Sequence, residues 1–259
     1  MWWIGSFVMF STAVFVFAMI VHTGVTNIKT IGPPLVVPFV GTTTDAVVGA
    51  LIVSYSDGVN ARLAIPVIIV SYILCGVGTW AGLLAFALIW ARFVNYGPTP
   101  AALSPGLFLL VGPPGQVAAA VILLGYASSL YFGAYDTGTF FTVTSGATLY
   151  TVGVFFGLLV LGLAMLFIFF ALYTVIDVAF RRQHSYSLIW WSTIFPMATV
   201  NTAFIGLATS LDSPAFRALA EALYVILFID YVINMGFTLT HIAQGKLLSG
   251  RRKEDEKEK

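Results

Sequence analysis

Trp190-Trp191-Ser192-Thr193-Ile194-Phe195-Pro196-Met197-Ala198-Thr199 is the stretch on which the reading turns. A bulky aromatic beside a proline, in the middle of an apolar run, suits neither lipid anchoring nor an unbroken helix. Proline lacks the backbone donor and its ring meets the carbonyl one turn earlier, so Pro196 is expected to kink the segment and free a polar group at membrane depth. Irregular backbone at that depth is tolerated where protein buries it or where it lines a cavity. Ser192, Thr193, Thr199, Asn201 and Thr202 put hydroxyls and an amide around the break, more polarity than a lipid-facing helix carries. Two readings stay open here: a proline kink packed inside a bundle, or a pore-lining helix with Phe195 projecting into the path.

The surrounding chain is that of an integral membrane protein. Of 259 residues 59% are hydrophobic and 9% charged, against about 25% charged in an ordinary soluble domain. Apolar segments run at roughly 3–23, 33–54, 63–93, 106–128, 146–179, 187–210 and 216–244, each near or above the roughly 20 residues a membrane span needs. The fold class is therefore all-α and polytopic, with about seven transmembrane helices. The third and fifth segments exceed a perpendicular span, so they tilt or project. No soluble domain fits between the spans, which makes residues 1–248 one transmembrane domain and 249–259 a charged tail, expected to be disordered. Cys75 is the one cysteine, so no intramolecular disulfide or thiolate metal site forms. Met1-Trp2-Trp3 lacks the basic lead of a cleavable signal.

Basic residues crowd one set of loops: Lys29, Arg92, Arg181, Arg182, Lys246 and the tail lie on one side, and Arg62 and Arg217 on the other. The crowded side is read as cytoplasmic, which puts the N-terminus outside, the C-terminus inside and the loop holding Asp136 outside. Prolines mark a weak repeat. Pro33, Pro34 and Pro38 interrupt the second span, Pro113 and Pro114 the fourth, and Pro196 the sixth, while each following span lacks a comparable break. Broken helices that face inward are one way to build a conduit. The broken spans also hold the polarity: Gly41-Thr42-Thr43-Thr44-Asp45, Gly112-Pro113-Pro114-Gly115-Gln116, and the hydroxyls around Phe195. Lining one path is one explanation; close helix packing through glycines and hydroxyls is the other.

Gly112-Pro113-Pro114-Gly115-Gln116 before an alanine-rich helix, with Trp190-Trp191-Ser192-Thr193-Ile194-Phe195-Pro196, resembles the tellurite-resistance and dicarboxylate transporter family. That family includes fungal malate permeases and sulfite exporters, bacterial tellurite-resistance proteins and plant slow anion channels. The opening Trp2-Trp3-Ile4 and the proline-rich Pro33 to Gly49 region resemble its fourth and fifth helices. The resemblance implies a ten-helix fold of five hairpins around a central pore, odd-numbered helices innermost, of which this chain supplies helices four to ten. It also implies that Phe195 takes the place of the phenylalanine that plugs the pore. The lining expected with it is Pro38, Thr42, Thr43, Gly112, Pro113, Gly115, Gln116, Ser192, Thr193 and Thr199.

Two departures stand out. The first three family helices are not in this chain, so a full conduit does not close from it alone; it is expected to be a fragment, a partial gene model, or a chain that works with another, a homo-oligomer included. Asp45 stands where the resemblance leads one to expect a small neutral residue, and a carboxylate in an anion path repels unless protonated or paired. It is therefore either a proton or charge site, or turned away from the path. Asp177 and Arg181 are spaced for an ion pair, and Asp230, Asn234 and His241 for a structural polar cluster on the last span.

Other classes fit poorly. A retinal protein needs a lysine within its last span, absent from residues 217–244, and the basic and Asn-Pro motifs of a G-protein-coupled receptor do not occur. No nucleophile and base set marks an enzyme, no His, Asp or Glu cluster has metal-ligand spacing, and no cofactor or nucleic-acid partner is expected. The reading is a plasma-membrane permease or channel for small anions, malate or another C4-dicarboxylate first and sulfite second. A non-transporting fragment or structural membrane subunit is the alternative of another class.

Overall fold

The computed structural model describes residues 1–23, 28–135, 138, 140–182 and 186–245. Asp136, His184, Lys246 and the tail at 249–259 lie outside the described residues. Among the described residues seven helical spans are long and apolar enough to cross a membrane, three of them counted with a 3-10 lead-in; their α-helices are α1 (Trp2–Thr23), α2 (Val37–Tyr55), α3 (Ala61–Tyr96), α4 (Gly112–Tyr131), α5 (Val143–Phe180), α6 (Ile194–Ser210) and α7 (Pro214–Ala243). Among the described residues there is no strand.

Helix beginnings divide into two kinds. Those of α3, α5 and α7 are capped by side chains: Leu63 N donates to Asn60 Oδ1 at 3.1 Å, Thr142 and Ser145 form a reciprocal capping box, and Ser213 precedes Pro214 at the first helical position. α2, α4 and α6 have no side-chain cap and are entered through 3-10 turns, Pro33–Val36, Ala101–Val111 and Leu188–Thr193. Their prolines lie in the first α-turn, where a missing N–H leaves no bond unmade. The break thus falls at the change of winding just before Pro38, Pro113 and Pro196, rather than as a kink within a continuous helix.

α4 is the hub. Almost wholly buried, it packs against α2, α3, α5 and α6. Small residues let the neighbours close on it: a Cβ on Gly115 would lie 3.0 Å from Val200 N of α6, and one on Gly125 2.9 Å from Leu149 O of α5. α1 packs on α2, and α7 on α6 and its lead-in. The 36 residues of α3 and 38 of α5 extend ~54 and ~57 Å at helical rise, well beyond a hydrocarbon core of about 30 Å.

Candidate functional site

α2 and α6 flank α4, and three cavities follow one another along these spans and their lead-ins. The middle one, about 350 Å³, is lined by α2 (Val37, Gly41, Asp45, Val48), by Leu109 and Gly112, and by Phe195 and Pro196, with Met9 of α1 closing one side. On the side of Lys29 and Arg92 lies a larger cavity of about 560 Å³, reached by Leu35, Gly106 and Ile189 of the three lead-ins. On the other side a cavity of about 240 Å³ is lined by Tyr55, Tyr126 and Tyr150 with Thr202 and Ser210. Each of the three broken spans therefore meets the cavities in the same order. Along the α4 span, Gly106 to Gly112 covers ~12 Å in 3-10 geometry and Gly112 to Tyr126 ~21 Å in α geometry. The sum, ~33 Å, matches the hydrocarbon thickness.

Phe195 stands at the junction of these spans. Its lead-in turn is held at both ends by hydrogen bonds. Ser192 Oγ donates to Ile189 O (2.6 Å) and lies 2.9 Å from Pro105 O of the α4 lead-in, and Thr193 Oγ1 donates to Asp230 Oδ2 of α7 at 2.5 Å. Trp191 Nε1 donates to Thr238 Oγ1 at 2.9 Å, and Asn234 Nδ2 to Asp230 Oδ1 at 2.9 Å. Tyr186 bonds Thr238 and stacks on Phe237, with His241 tilted against it at 5.2 Å. Asp230 and Asn234 thus anchor the Trp-Trp-Ser-Thr turn, and the turn sets where Phe195 emerges, 46% exposed.

Of the residues expected to line a path, Phe195, Gly112 and Asp45 meet at the middle cavity. Thr42 and Thr43 are buried beside Gly78 of α3, their hydroxyls donating to Phe39 O and Val40 O at 2.9 Å. Pro38 sits half-buried in the first turn of α2. Pro113 lines a separate apolar cleft with α3 and α5. Gly115 lies against α6, and Gln116 is buried within α4. Thr199 is buried where α6 meets the α4 break, its hydroxyl 2.7 Å from Pro196 O and 3.3 Å from Gly112 O. Most of these hydroxyls hold seams together.

Asp45 both lines the middle cavity and accepts a hydrogen bond from Ser6 Oγ of α1, while Trp2 Nε1 donates to its backbone carbonyl at 3.0 Å. Asp177 and Arg181 pair at 3.0 Å on the exposed end of α5. Sequence reading missed Val37 and Val48, which with Gly41 and Thr44 are spaced four, three and four residues apart on one face of α2 and meet the cavity. The tyrosines and the Lys29–Arg92 cavity escaped because their members come from separate helices. Among the described residues no group of three or more His, Cys, Asp or Glu is placed to hold a metal ion.

The family model described as voltage-dependent anion channel matches residues 1–239. A sulfite efflux pump of Arthroderma benhamiae is 22% identical over 239 residues, covering 92% of this chain and 61% of that protein. A malic acid transport protein of Schizosaccharomyces pombe is 25% identical over 231 residues, 88% of this chain and 51% of that protein. An uncharacterized transporter of Methanocaldococcus jannaschii is 22% identical over 223 residues, 85% of this chain and 59% of that protein. The chain spans between about half and three-fifths of the length of these relatives. No solved structure matches it.

Proposed function

The chain belongs to the voltage-dependent anion channel family, and on that premise we propose that it forms part of a membrane path for small anions, gated by Phe195. The carrying observation is the convergence of three broken spans on one cavity with Phe195 in its wall and further cavities before and after it. An apolar ring across a narrow path interrupts the water an anion travels with, so it acts as a barrier that a small rotation lifts. The lining supplies few charges. Passage rests on hydroxyls, backbone dipoles and the basic mouth rather than on a mid-membrane cation.

The first substrate is a C4-dicarboxylate such as malate, with sulfite as the second, in keeping with relatives named for malic acid transport and sulfite efflux. The Lys29 and Arg92 face is cytoplasmic in a plasma membrane, by the one-sided basic loops. Asp45, paired with Ser6 at the cavity edge, is a charge or proton site on the path. Proteoliposomes carrying this chain, alone and preceded by the first three helices of a fungal relative, test the proposal by uptake of labelled malate and sulfite against chloride and nitrate. Anion uptake above empty liposomes in either form is expected. None in both would leave a structural membrane subunit as the reading.

A further inference from the structure

The cavity at the end of the path away from Lys29 and Arg92 gathers phenols that the bundle leaves without partners. Tyr72, Tyr131 and Tyr186 each hydrogen-bond within the protein, to Ser128, to Val53 O and to Asn234 O. The hydroxyls of Tyr55, Tyr126 and Tyr150 have no hydrogen-bond partner among the described residues, and all three tyrosines line this one cavity. Their oxygens are open. Tyr55 is 65% exposed. Tyr126 and Tyr150 are half-buried with oxygens that keep accessible surface, unlike Ser71 Oγ and Asn201 Oδ1, which are buried without a partner. Ring centroids lie 6.3 Å apart for Tyr55 of α2 and Tyr126 of α4, and 5.8 Å for Tyr126 and Tyr150 of α5. Tyr150 reaches this wall because α5 closes on α4 through glycines: a Cβ on Gly125 would stand 2.9 Å from Tyr150 Cα, and one on Gly153 would meet Val121 O. From α6 come Ser210, its hydroxyl likewise without a partner among the described residues, and Thr202 and Thr209, whose hydroxyls donate to Ala198 O and Ile205 O at 3.0 Å. Among the described residues that line the cavity there is no cation and no carboxylate. It therefore offers neutral O–H donors from four helices.

We propose that this cavity is an oxyanion-binding site, in which the hydroxyls of Tyr55, Tyr126, Tyr150 and Ser210 replace part of an anion's water at the end of the path. The proposal rests on reading the path as an anion conduit. Water serves these hydroxyls at rest, and an arriving anion takes over their hydrogens. A hydrogen bond from a neutral hydroxyl to an ionised acceptor is shorter and roughly twice as strong as one between neutral partners. Binding in a conduit must be favourable enough to admit the ion and weak enough to release it. Donors without net charge meet both demands, since they attract the anion and set no fixed countercharge beside it. Donors from separate helices also favour a ligand with several acceptors. A dicarboxylate or a sulfur oxyanion spreads its charge over two or more oxygens, each open to its own donor, whereas a halide is a single centre. An aromatic belt facing lipid also collects tyrosines near helix ends. Tyr150 differs from such a belt, because it packs against the buried core and shares the cavity wall with Thr202 and Gly206 of α6.

Phenylalanine keeps the ring and its packing and deletes only the donor, so it separates a binding hydroxyl from a structural ring. Calorimetric titration of the purified full chain in neutral detergent, at constant ionic strength, uses malate and chloride as probes. Malate is expected to bind at least about threefold tighter than chloride. Tyr126→Phe and Tyr150→Phe should each raise the malate Kd at least about threefold, and the two together about tenfold or more. Tyr173→Phe, at a position 73% exposed on α5 and outside the cavity, should leave the Kd unchanged. Ligand-free Tm reports whether each variant folds, and Tyr55→Phe, with an expected rise of about twofold or more, carries the test if the double variant does not. Absence of malate binding, wild-type malate affinity in the folded variants, or chloride bound as tightly as malate would overturn the proposal. So would tetramethylammonium bound in place of malate, the mark of an aromatic cage for cations. Malate binding with the expected pattern but no anion uptake by proteoliposomes sinks the conduit and leaves the site standing. Uptake with malate affinity indifferent to these hydroxyls sinks the site alone.

Discussion

Replacing Phe195 by alanine separates a gate from a core residue. A fully buried phenylalanine costs about 3–5 kcal/mol to truncate. At 46% exposure, roughly half of that, ~2 kcal/mol, is expected here, so membrane abundance should fall only modestly. Part of the ring lines the middle cavity. With about 150–250 Å² of apolar surface on such a side chain, up to ~100 Å² is open to it. Wetting it costs ~25 cal/mol per Å², or ~2.5 kcal/mol, and this is the barrier that alanine removes. Throughput per molecule should then rise roughly 50- to 100-fold. The assay is anion current or malate efflux, normalised to surface-labelled protein, in the chain preceded by the family's first three helices. Normal abundance with unchanged flux would refute the gate and, with it, the assignment of α6 to the path.

Three further outcomes are expected. Asp136→Cys, in a Cys75→Ala background, should react with an impermeant thiol reagent in intact cells while a tag after Lys259 stays protected; the reverse pattern would invert the orientation. Gly115→Ala drives a Cβ against Val200, and overpacking of this kind costs about 1–3 kcal/mol. Its detergent-solubilised Tm should drop, and a wild-type Tm would contradict the close α4–α6 contact. Asp230→Leu leaves the Thr193 hydroxyl without its α7 acceptor and Asn234 without its side-chain partner, so it should destabilise the protein by about 1–3 kcal/mol. Asp230→Asn should recover part of that loss in the same melting assay, and equal loss in both variants would count against a hydrogen-bonding role.

The seven spans were legible because bilayer-length apolar runs dominate the chain, and with each 3-10 lead-in counted in its span the observed bounds depart from the expected ones by at most 5 residues, at the start of the fourth span, Ala101 against the expected 106. Two of the smaller offsets have local causes. α3 begins at Ala61 and α5 at Val143 because Asn60 and Thr142 cap them. Broken spans were legible from their prolines, but not the 11 residues of 3-10 winding before α4, since Ala101–Val111 is as apolar as any helix there. In the site, Phe195 and Gly112 were within reach of motif reading. Thr42 and Thr43 were chosen for their hydroxyls, yet a helix turns ~100° per residue, so the neighbouring face, Gly41 and Thr44, meets the cavity instead. Ser6 could not be matched to Asp45 from order alone, because the pair spans two helices and 39 residues.

α4 is enclosed by four helices, yet two of them, α5 and α6, follow it in the chain. Synthesis proceeds from the N-terminus, so α4 enters the bilayer before half of its covering exists. Acyl chains solvate that surface first and must leave it later. Its composition serves both stages: no charged residue lies between Gly112 and Tyr131, and glycines, alanines and serines admit close neighbours once lipid departs. Assembly of the bundle is in this sense a delipidation of one helix, and its rate follows how readily the host membrane's acyl chains give up their contacts with α4.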